Sequence, residues 1–108
     1  SDPGAVTFAQ VMRGAQLISF RELLRQIKAH DKHYGMREPL IWQALGLAAQ
    51  LGYPCGVRID PEEAEWPVVA IELPTGQVSW HMKSYPKPWD GHTTEEKYRR
   101  VDDFLENY

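Results

Sequence analysis

The apolar positions of this chain change period twice: helical spacing holds up to residue 54, alternation follows, and helical spacing returns after residue 93. Phe8, Val11 and Met12 mark one face of a short helix over residues 7–13, which Gly14 ends. Ser19 and Glu22 form a capping-box pattern, with Ile18 placed to staple onto Leu23, so a second helix is predicted over 20–29. Phe20, Leu23, Leu24 and Ile27 give it an inner face; Arg21, Arg25, Gln26 and Lys28 give it a wet one. Residues 30–35 read as a polar turn. Pro39 suits the first turn of a third helix, and Gly52 with Pro54 stops it. Leu40, Ile41, Ala44, Leu45, Leu47, Ala48 and Leu51 are apolar on more than one side, with no charge among residues 40–51, which describes a largely buried central helix.

Three strands are predicted next, over 56–60, 67–73 and 77–82. Residues 61–65 make an acidic connection, and Pro74, Thr75 and Gly76 signal the tight turn of a hairpin. Alternation then sorts Val57, Ile59, Val69, Ile71, Leu73, Val78, Trp80 and Met82 onto one face, against the helices. Arg58, Asp60, Val68, Ala70, Glu72, Ser79 and His81 take the other. Thr93 and Glu96 repeat the capping-box pattern and start a last helix, which carries Tyr98, Val101, Phe104, Leu105 and Tyr108 inward and leaves Lys97, Arg99, Arg100, Asp102 and Asp103 in water. The expected class is α+β, a three-stranded antiparallel sheet with N-terminal helices and a C-terminal helix packed on one face.

At 108 residues, the chain is expected to be one domain spanning 1–108, with residues 1–4 a remnant outside the fold. A net charge of -3 argues against general binding to a phosphate backbone. Cys55 is the only cysteine, so no disulfide within the chain and no thiolate-rich zinc site is available, and a cytoplasmic setting fits best. No apolar run approaches the roughly 18 residues of a membrane span.

Candidate chemistry gathers between Trp80 and His92. Arg58, Glu72, Ser79 and His81 share the outer sheet face, where they form either the floor of a ligand site or an ordinary set of cross-strand charge pairs. Pro86, Pro88 and Gly91 shape the loop that brings Trp89, Asp90 and His92 to the start of the last helix. There the free amides favour an anion and a neutral imidazole. His81, Asp90 and His92 suit a divalent metal; equally, Asp90 orients a histidine for proton transfer, or all three serve only the turn. His30 and His33 make either a paired-histidine or phosphate site or solvated helix-end cations.

The aromatic-His pair Trp80-His81, followed by the Trp-Asp-Gly-His-Thr run of residues 89–93, is similar to the WDGH-type domains of bacteriophage and mobile-element proteins. The resemblance covers residues 77–105. It implies a phage or mobile-gene setting and no established reaction.

Three readings follow. The first is a binding module without catalysis or cofactor, holding a small anionic ligand or a peptide on Arg58, Ser79, His81, Trp89, Asp90, His92 and Thr93, with Trp89 or Tyr85 as an aromatic wall. The second is a metal-assisted hydrolase with His81, Asp90 and His92 as ligands and Glu72 as base. The third is an assembly protein that forms a homo-oligomer through its sheet face or an open strand edge.

Overall fold

The computed structural model describes residues 4–59, 67–82 and 94–108. Its order is α1 (Phe8–Ala29), α2 (Tyr34–Leu51), β1 (Cys55–Ile59), β2 (Pro67–Leu73), β3 (Gly76–His81) and α3 (Thr94–Asn107). The strands form one antiparallel sheet in the order β1-β2-β3, and the class is α+β as the periodicity requires.

The helices differ most from expectation. α1 is one continuous helix and not two, since Gly14 costs only about 1 kcal/mol inside a helix and no proline reinforces it. Its capping box is Thr7 with Gln10: Thr7 Oγ1 accepts from the Gln10 amide at 3.1 Å, and Gln10 Oε1 accepts from the Thr7 amide at 2.8 Å. Ser19 is an exposed mid-helix residue, Glu22 pairs with Arg25 at 3.3 Å, and Ile18 is 70% exposed, so no staple forms there. α2 starts at Tyr34, more than a turn ahead of Pro39, because His33 O accepts from the amides of Met36 and Arg37, both at 2.9 Å. It ends at Gly52, whose φ of 88° lets the chain turn back while the Tyr53 amide bonds Ala48 O at 2.9 Å.

In the sheet, Cys55, Val57 and Ile59 pair with Ile71, Val69 and Pro67, and Val69, Ile71 and Leu73 pair with Trp80, Val78 and Gly76. The two-residue link Pro74-Thr75 closes the hairpin, held to α3 by Thr75 Oγ1 donating to Arg100 O at 2.6 Å. Two bonds set the parity of the ladder: the Glu72 amide donates to Pro54 O at 2.7 Å, and the Met82 amide to Pro67 O at 2.9 Å. Pairs that exchange bonds alternate with pairs that do not, so Cys55, Val57 and Ile59 on β1, and Gln77, Ser79 and His81 on β3, point their backbone groups away from the sheet.

α2 and α3 pack on one face of the sheet and α1 packs on them, so that Phe20, Leu24, Ile27, Ile41, Ala44, Ala48, Val101 and Phe104 join Val69, Ile71, Val78 and Trp80 in a single core. Phe20, Tyr53 and Phe104 form an aromatic triangle with centroids 5.6 to 5.8 Å apart. Val57 and Ile59, assigned to this face by alternation, do turn toward it but stay 49% and 57% exposed, because the edge strand runs beyond the cover of the helices. Tyr108 is likewise 56% exposed, stacked on Phe104 and not buried. The face of Phe8, Val11 and Met12 is also open. No helix among the described residues is long and apolar enough to cross a membrane.

Phe20→Ala is expected to lower the unfolding free energy by about 3–5 kcal/mol, as a fully buried ring is lost from the core. Phe8→Ala, at 79% exposure, is expected to change it by no more than about 0.5 kcal/mol. Urea melts of the two variants check both values.

Candidate functional site

The register decides which candidate residues meet on the outer face. Arg58, Val68 and His81 lie in one cross-strand row; Gly56, Ala70 and Ser79 form the next. Directly opposed residues share a face, so Arg58 and His81 flank Val68, two strands and about 10 Å apart. Ser79 is beside His81 on the same strand and face. Glu72 pairs with Gln77, four residues along β2 from the His81 row, or about 14 Å, too far to act as a base on anything His81 holds.

This corner is not an ordinary wet sheet surface. Val68 is 3% exposed although the helices lie on the opposite face, and Nε2 of His81 is shielded from solvent. Arg58 is exposed and forms no ion pair among the described residues. Beside it, Gly56 and Ala70 leave a depression of about 230 Å³, rimmed by Arg58, Glu72 and Gln77. Trp89, Asp90, His92 and Thr93, with Asp60 and Tyr85, lie outside the described residues. Among the described residues, no group of three or more histidine, cysteine or acidic side chains is arranged to hold a metal ion.

Under the His81 row runs a buried polar network that the sequence reading missed. Arg37, 6% exposed, donates through Nη1 to Asp31 O at 2.9 Å and Asp31 Oδ1 at 3.0 Å, and through Nη2 to His81 O at 3.0 Å. Its guanidinium carbon lies 4.2 Å from the centre of the Tyr34 ring. Tyr98 donates its hydroxyl hydrogen to Asp31 Oδ1 and accepts from Trp80 Nε1 at 3.2 Å. Burial, then the bond to Asp31, pushes the Tyr98 phenol well above the ordinary tyrosine range. The turn between α1 and α2, expected to be solvated, thus supplies a carboxylate that ties two helices to the last strand.

The same strand is closed along its outer edge. Its three outward carbonyls each accept from a cation: Gln77 O from Arg100 at 2.7 Å, Ser79 O from Lys97 at 3.2 Å, and His81 O from Arg37 at 3.0 Å. Lys97, expected in water, also sits 5.5 Å from the Trp80 ring and 5.2 Å from that of Tyr98. Arg100 lies over Gly76, where a Cβ would come within 2.8 Å of its Cδ.

A spacing signal for the network was present. Phe20, Leu24 and Ile27 extend by a further helical step to Asp31, and Ile41, Ala44, Ala48 and Leu51 extend back one step to Arg37, so both charges continue buried stripes. The turn also borders a second depression, about 380 Å³, lined by Lys28, Asp31, Lys32, His33 and Tyr98. Lys28 there is paired with Asp102 at 2.8 Å, while the His30 and His33 rings meet edge to face at 6.1 Å.

A WDGH domain model matches residues 26–104, which take in this network, the whole sheet and most of α3. The chain belongs to the WDGH family. No curated protein and no solved structure matches it.

Tyr98→Phe is expected to cost about 1–3 kcal/mol, since Asp31 and Trp80 Nε1 both lose a buried partner. With the phenol raised in the folded state, the unfolded chain releases this proton first. The stabilisation is therefore complete below the ordinary tyrosine value near pH 10 and declines above it. Urea titrations between about pH 8 and 11 should show a loss of stability in the parent protein that is shallower in Tyr98→Phe.

Proposed function

We propose that this WDGH domain is a binding module that takes an anionic group, on a small ligand or an acidic peptide, against the outer face of its sheet. In this reading Arg58 engages a carboxylate or phosphate through its planar donors, and Ser79 and His81 supply the polar side of the seat. Trp89, Asp90, His92 and Thr93 complete it from the stretch of chain between β3 and α3, and no bond in the ligand is made or broken. A phage or mobile-element origin and a cytoplasmic setting belong to the same proposal.

The observation that carries this reading is the row Arg58, Val68 and His81: an exposed arginine without an ion pair among the described residues, aligned with a partly buried imidazole across a dry valine. Ordinary cross-strand charge pairing predicts a carboxylate opposite Arg58. Val68 stands there instead, and Glu72 is distant along the strand.

The test is an amide-resolved NMR titration with inorganic phosphate and with pyrophosphate. Amides of Arg58, Val68, Ser79 and His81 are expected to shift together, and Arg58→Ala and His81→Ala each to weaken binding about tenfold, equivalent to about 1.4 kcal/mol. Shifts confined to Lys28, Lys32 and His33, or a titration unchanged in both variants, would sink the proposal.

A further inference from the structure

The two edges of the sheet are treated differently. On β3 each outward carbonyl is capped by a cation, which blunts that edge against another strand. On β1 the outward backbone groups of Cys55, Val57 and Ile59 meet no backbone or side-chain partner among the described residues, and no strand pairs there. Val57 and Ile59 are also the two apolar side chains of the sheet that the helices leave open. One short strand thus combines unused backbone donors and acceptors with uncovered aliphatic surface, the combination that templates strand addition.

We propose that a second copy of this chain occupies that edge, its β1 antiparallel to the first with Val57 opposite Val57, so that two three-stranded sheets become one of six. Hydrogen-bond parity selects this register. Only odd-numbered residues of β1 face outward, so odd must pair with odd. Centring on Val57 uses all three, pairing Val57 with Val57 and Cys55 with Ile59 on either side, each pair exchanging both N–H···O bonds. On the helix face, the open Val57 and Ile59 of each copy then cover the other's.

Charge selects the same arrangement. Centring on Arg58 would set the two arginines directly opposite each other, which is destabilising. Centring on Val57 sets each Arg58 opposite the other copy's Gly56, above which a Cβ would meet nothing within 4 Å. Beyond Gly56 lies the groove rimmed by Glu72, exposed and without an ion pair among the described residues. With no anion on the outer face, an extended Arg58 directed across Gly56 points its positive charge at that carboxylate, so an anion and the dimer contact compete for one guanidinium. A chemically unrelated partner strand would have no reason to match both the parity and the charge of β1.

Sedimentation equilibrium in phosphate-free buffer, which leaves the anion seat empty, tests the dimer apart from the ligand. From about 10 µM to about 1 mM the average mass is expected to rise from monomer toward dimer. Val57→Lys, with an unchanged circular dichroism spectrum, is expected to stay monomeric. Arg58→Glu is expected to weaken association about tenfold, and adding Glu72→Arg to restore it. Cys55→Ala with Val57→Cys is expected to form a disulfide-linked dimer on oxidation, since opposed residues of this type have Cα atoms about 5.5 Å apart. Monomer mass at every concentration, a dimer indifferent to Val57→Lys or Arg58→Glu, or one that Glu72→Arg fails to restore overturns the proposal.

Discussion

A guanidinium only 6% exposed needs a full set of acceptors, and in this domain those acceptors come from different parts of the chain. Arg37 takes the carboxylate and the carbonyl of Asp31 from the turn that follows α1, and the carbonyl of His81 from the last residue of β3. Tyr98 on α3 joins through the other side of the same carboxylate oxygen, and Trp80 joins through Tyr98. One buried charge therefore fixes where both N-terminal helices, the last strand and the C-terminal helix meet. Apolar packing alone is tolerant of small slips along a helix axis; a guanidinium with two acceptors on one side and one on the other is not. The backbone of His81 is held from beneath by this set while its side chain belongs to the outer face.

The same bond closes an edge. Because Arg37, Lys97 and Arg100 all donate to outward carbonyls of β3, the helices both cover one face of the sheet and seal one side of it. β1 is treated differently. α2 meets it at Cys55, whose Sγ donates to Leu45 O at 3.9 Å, but its edge is bare and Val57, Arg58 and Ile59 are exposed. Within the described sheet, the open edge and the exposed aliphatic side chains thus both fall on β1.

The alternation of residues 55–82 carried nearly everything about the sheet. The strands fall within one residue of their expected limits because Pro54, Pro67 and the Pro74-Thr75 turn mark their ends, and the register places Arg58, Ser79 and His81 on the face assigned to them. Alternation gives a side, however, and not the extent of the cover on that side, which is why Val57 and Ile59 are open. The break at Gly14 and the box at Ser19 and Glu22 were false punctuation, since neither outweighs continuous helix propagation over 22 residues. Asp31 and Lys97 were given to water on residue type, and Arg37 was assigned no role, yet type decides burial only for groups that lack partners, and all three have them. Trp89, Asp90, His92 and Thr93 lie outside the described residues, so the second half of the candidate site rests on the motif.

The central claim is that Arg37 and Asp31 act as one unit in holding the helices to the end of β3. A double-mutant cycle on unfolding free energy, with Arg37→Met, Asp31→Asn and the pair, measures that directly. Arg37→Met is expected to cost about 3–5 kcal/mol, and the double variant to lose clearly less than the two single losses together, since a buried charge without its partner is worse than neither. Losses that simply add, or an Arg37→Met variant as stable as the parent, would contradict the account.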